Sequence, residues 1–362
     1  MVAVAGSIQQ KPGWIISRGQ DLVWFQGSVI AGLALLALFL SLPELNSSNY
    51  SAGHAAVLVL LLWGVFIDGT HVWATYARTY FAPDEQSKAG LPGSLAWGLL
   101  LVGPAIALVD YATLNPGPSI LGHAGLLFRL FLAFAYMWAF YHLVRQHYGF
   151  MCLYRRKAGE YEGRLDTWLL WGGSIYPYLR FTLSDGYLKS GLPHPVPVEW
   201  FEQARTALDV GFAAFLLVWL AFWIKRQRTR PTQWGPKHML LFIVLGFQAL
   251  VFATLENLFA ITATLTIFHN FQYHRIVWQY EKGHQRVPMG NVVLYLGLGA
   301  LFGLMWYGPR FMGVAIVDSD LLRNILLGLG WGVAFHHYFV DSKIWRIRRT
   351  PEVTRTLDAG AH

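Results

Sequence analysis

Apolar runs of about twenty residues alternate with short polar connections along the whole chain. A run of that length, coiled as an α-helix, crosses a hydrocarbon core of roughly 30 Å. Ten runs can be delimited: 22–42, 53–76, 92–112, 120–145, 167–183, 206–225, 238–256, 258–280, 290–308 and 320–341. No alternating ten-residue pattern of the kind that builds a membrane barrel competes with them. The pattern predicts an all-α, polytopic transmembrane helical bundle of about ten spans with short loops. The fifth run is short and contains Pro177, so a kink or a re-entrant segment is expected there. Residues 1–21 precede the bundle, 22–345 form it as a single domain, and 346–362 form a basic, flexible tail.

Four of these runs are broken by polar residues, each towards its later end. They are Asp68 with His71, His142 with Gln146 and His147, His269 with Asn270, Gln272 and His274, and His336 and His337 with Asp341. Ionisable groups inside a membrane span are expensive to bury, so each marks a candidate functional site. His54 and His123 begin spans and are expected at the opposite interface, while His194, His238 and His362 fall in connections or at the terminus. His284 lies just beyond the eighth run. Gly299 with Gly303 and Gly328 with Gly332 are small-xxx-small spacings that let helices approach closely.

Charge orients the bundle. The composition is 55% hydrophobic and 13% charged, where a soluble domain carries about 25% charged residues. Of 28 Lys and Arg, 22 fall in the N-terminal segment and after the even-numbered spans, and six fall on the other side. The positive-inside rule then places both termini in the cytoplasm. It also explains the net charge of +8 without a nucleic-acid partner. The four polar clusters lie on spans two, four, eight and ten. All four run inward, so their polar residues should share one layer in the cytoplasmic half of the bilayer. The membrane lipids are the expected surroundings.

Neutral imidazole suits iron, zinc and copper. The single cysteine, Cys152, excludes a cysteine-based cluster. His71, His142, His147, His269, His274, His336 and His337 are therefore the candidate metal ligands. Asp68, three residues before His71, and Asp341, four after His337, share a helix face with them. Each Asp is either a ligand or the partner that orients one. The five-residue spacings His142–His147 and His269–His274 turn about 140° on a regular helix, so a pair converges only with a π-bulge or a helix end; otherwise its members ligate different metals, or one is a hydrogen-bonded structural residue.

This pattern resembles the histidine-box membrane oxygenases: fatty-acid desaturases, alkane and fatty-acid hydroxylases and, more distantly, bacterial membrane carotene oxygenases. The matching residues are His142-x4-His147, His269-x4-His274 and the doublet His336-His337; no complete HxxHH box is present. The resemblance implies one or two non-haem irons, dioxygen as oxidant, and a lipid-soluble substrate such as an acyl chain or isoprenoid. No electron-donor domain is fused to the chain, so a separate donor is expected. Two other readings use the same residues. A haem b or quinone electron carrier would take the histidines as axial ligands, and a metal or proton transporter would use them as a relay.

Overall fold

The structure is a computed structural model. It describes residues 13–42, 54–80, 96–113, 118–119, 122–160, 162–194, 196–229, 234–284, 291–316 and 319–345, together with 353, 355 and 357. Its long helices are α1 (Arg18–Ser41), α2 (54–79), α3 (Leu99–Thr113), α4 (Leu126–Lys157), α5 (Arg164–Thr182), α7 (Phe201–Thr229), α8 (Pro236–Thr254), α9 (Leu258–His284), α10 (Val292–Ile316) and α11 (Asp320–Ile344). A short α6 (Asp185–Lys189) precedes α7. A two-residue antiparallel ladder pairs β1 (Pro118–Ser119) with β2 (Gly122–His123). Each of the ten apolar runs thus overlaps one long helix. α5 is helical through Pro177, with no break in its assignment.

Polar side chains start several helices where their first N–H groups lack intrahelical acceptors. The Asp110 carboxylate on α3 accepts from the N–H groups of Gly125 (2.7 Å) and Phe128 (3.1 Å) at the head of α4. Asn257 accepts from Phe259 and Ala260 at the head of α9, and Asn291 from Val293 and Leu294 at the head of α10. α8 begins with Pro236, at a position where the missing N–H costs nothing.

By length and composition four helices can cross a membrane: α1, α4, α7 with its preceding turn (Val198–Thr229), and α8. α3 and Val292–Gly308 of α10 are shorter apolar helices. α9 and α11 carry the histidines and their polar neighbours, which lower the apolar content of those helices.

The helices that matter for the polar clusters form a ring. α9 and α11 each pack against both α2 and α4. α10 backs α2, α3 backs α11, and α1 backs α9. Two of these contacts are backbone to backbone, at the small-residue spacings. A Cβ on Gly303 would meet the Val65 carbonyl of α2, and one on Gly69 would meet Gly303. Gly328 and Gly103 face each other in the same way, and a Cβ on Gly332 would lie 2.6 Å from the Leu100 Cα of α3.

Two features depart from the sequence expectations. Val353 and Leu357, placed in a flexible tail, are buried in the hydrophobic core. Arg78 and Lys237, counted among the topology-setting charges, are buried as well. Lys237 forms ion pairs with Glu160 and with Asp166, the latter at 2.7 Å, and so joins the head of α8 to the α4–α5 connection.

The glycine contacts generate a stability prediction. Gly303→Ala forces the α2–α10 backbones apart and should lower stability by about 1–3 kcal/mol, the usual cost of overpacking. Gly297→Ala, on the same helix with nothing within 4 Å of the new methyl, should be neutral or slightly stabilising. Thermal unfolding in detergent checks the pair, and matching midpoints would show that this close approach does not matter.

Candidate metal centre

α2, α4, α9 and α11 each contribute one histidine to a common cluster. The His71 Nε2 and His337 Nε2 atoms are 3.0 Å apart, and those rings have centroids 4.7 Å apart. His269 lies 4.9 Å from His71 and 6.2 Å from His142, and His142 lies 5.3 Å from His337. Asp341 sits beside them, its Oδ2 3.7 Å from His337 Nε2 and 3.8 Å from His142 Nε2. Two groups of three, His71–His142–His269 and His142–His337–Asp341, each have ligand atoms within 4.8 Å of one another. His142 belongs to both.

A π turn at Gly64–Asp68 helps aim α2. Such a turn inserts one residue into the helical repeat and rotates everything after it by about 100°. No π-bulge separates the members of the histidine pairs, as α4 and α9 are regular there. His142 and His147 nonetheless both approach His269, the latter at 6.1 Å, because the α9 residue lies between them.

Asp341 is tied to every helix of the ring. Its Oδ1 accepts from Thr75 of α2 at 2.8 Å and from Tyr273 of α9 at 2.7 Å. Its Oδ2 accepts from the Gln146 amide of α4 at 2.6 Å. Gln146 also reaches His142 Nε2 at 3.2 Å, and the indole N–H of Trp345 donates to the Tyr273 hydroxyl at 3.2 Å. The carboxylate is thus held rigidly next to the imidazoles.

The ring nitrogens test whether these residues fit a metal. Buried polar atoms are normally hydrogen-bonded. Yet His71 Nδ1, His337 Nδ1 and both nitrogens of His269 have no hydrogen-bond partner among the described residues. A hydrogen bond between His71 and His337 would satisfy the facing nitrogens and still leave a buried N–H with no acceptor. Their 3.0 Å separation also suits two ligands of one ion with bonds of about 2.1 Å. His147 donates Nδ1–H to the Leu143 carbonyl at 3.0 Å, which leaves Nε2 as its lone-pair nitrogen, with the Gln272 side chain beside it. An N–H fixed on a carbonyl is the usual support for a ligand histidine. The donor set therefore fits a metal ion.

The other predicted residues are engaged elsewhere. Thr70 donates its hydroxyl to the Phe66 or Ile67 carbonyl, so it accepts from His274 Nε2 at 3.0 Å, and His274 Nδ1 meets the Tyr295 hydroxyl at 2.9 Å. His336 is bonded to Tyr76 at 2.9 Å and to Tyr80 at 3.0 Å, with its ring stacked 4.4 Å from Trp97. Neither histidine keeps a free lone pair. Asp68 accepts from Tyr307 of α10. His194 bonds to the Val196 carbonyl in a connection, as expected, whereas His238, expected in a connection, is buried in the first turn of α8 and accepts from the Gly235 N–H at its head. The side chains of His54, His123, His284 and His362 lie outside the described residues.

Sequence reading missed Thr75, Tyr295, Tyr307 and the aromatic setting of His336. Thr75 carried a signal, since it stands four residues after His71 on the same face of α2. The tyrosines carried none, because a membrane protein is rich in interfacial tyrosine.

Ligand-atom geometry and hydrogen bonding together separate the histidines in a way that mutation can check. Ala at His71, His142, His269 or His337 should each abolish stoichiometric metal in folded protein. His274→Ala and His336→Ala should retain it while losing some stability, since each removes two buried hydrogen bonds to hydroxyls. Elemental analysis of monodisperse protein decides, and equal loss in both groups would refute the division.

No protein-family model, curated protein or solved structure matches this chain.

Proposed function

We propose that this chain is a multi-pass integral membrane oxidoreductase that uses non-haem iron on a lipid-soluble substrate such as an acyl chain or isoprenoid. In this reading ten helices span the bilayer, both termini are cytoplasmic, and the histidine centre lies in the cytoplasmic half. The observation that carries it is the donor set. His142, His337 and Asp341 make two histidines and one carboxylate, the set that non-haem iron oxygenases use while keeping coordination positions open. His71 and His269 extend the site and permit a second ion, with His142 between the two groups.

Iron, when bound, supplies one-electron redox chemistry and the activation of dioxygen. The protein does the rest. Thr75, Tyr273 and Gln146 hold the Asp341 carboxylate against rotation, and Trp345 holds Tyr273 in turn. The imidazoles are neutral donors positioned by packing, with Tyr338 stacked 4.1 Å from His142. Burial excludes water from the cluster on most sides. His142 keeps 12% of its side chain exposed, and the neighbouring Tyr141 is an exposed aromatic. A lipid-soluble substrate therefore approaches along α4. Electrons come from a separate donor.

Two measurements test the reading. Protein purified in detergent should contain iron and show no Soret band. A Soret band would select the haem b carrier, and the lack of any stoichiometric metal would select transport or a structural role. Reporter fusions after Tyr50 and after Lys157 should appear on opposite sides of the membrane.

The carboxylates give a sharper contrast. Asp341→Asn places an amide N–H2 among three donors and should lower metal affinity at least as much as loss of a supporting group, about 10–100-fold. Asp68→Asn, whose carboxylate accepts from Tyr307 and is in neither group of candidate ligands, should leave metal content unchanged. Competition with a chelator reads both. Equal effects would remove Asp341 from the centre.

A further inference from the structure

Among the described residues Arg78 is the largest fully buried side chain. It stands on α2 seven residues beyond His71, about 10 Å along the helix axis and on the same face, with Thr75 between them. Its guanidinium lies between two aromatic rings, 3.9 Å from the Tyr280 centroid and 3.7 Å from that of Trp345. Nη2 donates to the Ile344 carbonyl at the end of α11, at 3.1 Å. Among the described residues Nε and Nη1 have no hydrogen-bond partner, and no carboxylate pairs with the group.

Those contacts leave the charge incompletely served. Arginine presents five N–H donors and no acceptor, and cannot shed its proton. Ring faces and a helix C-terminus favour a cation, but the rings close only its faces. The three N–H groups on Nε and Nη1 still need acceptors in the plane of the guanidinium. Water would supply acceptors without charge, whereas an oxyanion supplies both in the geometry that a guanidinium recognises.

The position suggests which oxyanion. Trp345 joins the Arg78 clamp to the metal centre, because its N–H bonds to Tyr273, which bonds to Asp341. α2 and α11 both end near Arg78, at Thr79 and Ile344. Under the topology above, that level is the cytoplasmic headgroup region and the histidines lie deeper. We infer that Arg78 binds the carboxylate or phosphate head of an amphiphile whose apolar tail runs towards the histidine–aspartate centre. The direction of the tail rests on the proposed function; the anion site does not. Arg78 would then select, among lipid-soluble ligands, those that carry a terminal oxyanion.

The experiment titrates purified protein in neutral detergent with oleate, oleyl alcohol and inorganic phosphate. Binding is followed by calorimetry and by tryptophan fluorescence, for which Trp345 is the local reporter. Oleate should bind the wild type about tenfold or more tightly than oleyl alcohol, the gain of one charge-assisted pair. Arg78→Gln should erase that preference, and Arg78→Lys should keep part of it, since it retains the charge without the fork. Inorganic phosphate should compete poorly. Equal binding of oleate and alcohol, a preference that survives in Arg78→Gln, or phosphate competing as well as oleate would each overturn the inference. Should Arg78→Gln fail to fold, the infrared band of carboxylate-labelled oleate decides on the wild type. A band shifted from its position in detergent alone supports the ion pair, and an unshifted band overturns it. Metal content is measured in parallel. Arg78-dependent oleate binding by metal-free protein would sink the proposed oxidoreductase and leave the anion site standing.

Discussion

One buried carboxylate holds the centre of this protein together. Asp341 on α11 accepts hydrogen bonds from Thr75 on α2, Tyr273 on α9 and Gln146 on α4, so a single side chain fixes the mutual position of all four helices that carry the histidines. Taking a carboxylate out of water costs several kcal/mol. Hydrogen bonds to a charged group return about 1.5–3 kcal/mol each. Three of them roughly offset the cost, so Asp341 contributes little net stability. Its contribution is geometry: the helices can meet only in the register that satisfies it. The imidazoles then fall where they do as a consequence.

The same accounting of donors and acceptors sorts the histidines into two kinds. Where a neighbouring helix presents hydroxyls, as Thr70 and Tyr295 do for His274 and Tyr76 and Tyr80 do for His336, the imidazole is satisfied and serves to join helices. Where the neighbour presents another imidazole, lone pairs are left over. His71, His269 and His337 face one another and retain unpartnered nitrogens in a region closed to water. Such atoms are tolerated when an ion takes them up. The distinction lies in what sits across the interface, and two adjacent residues, His336 and His337, fall on opposite sides of it.

Close packing outside the ring makes this arrangement possible. α10 reaches the backbone of α2 through Gly303 and Gly69, and α3 reaches α11 through Gly103 and Gly328. Contacts this intimate leave the inner faces of α2 and α11 free for polar groups, because the outer faces secure the helices without side-chain interdigitation.

Much of this was legible in the residues themselves. Apolar run length placed ten helices, because a long apolar stretch hides its backbone polar groups by coiling, and Gly299–Gly303 and Gly328–Gly332 marked contact faces, because only a missing Cβ allows that approach. Polar residues within apolar runs pointed to His71, His142, His269, His337 and Asp341, because burying them demands a compensating partner. What sequence spacing left open was which partner each would find. His274 and His336 are as polar and as deeply set as the cluster histidines, yet hydroxyls from α2 and α10 satisfy them, and Asp68 turns to Tyr307 rather than to His71. Arg78 read as a charge at the membrane surface until folding enclosed it between Tyr280 and Trp345. A residue's chemistry is written locally. Whether a lone pair or a charge is left unsatisfied depends on atoms hundreds of residues away, and only the packed helices bring those within 3 Å.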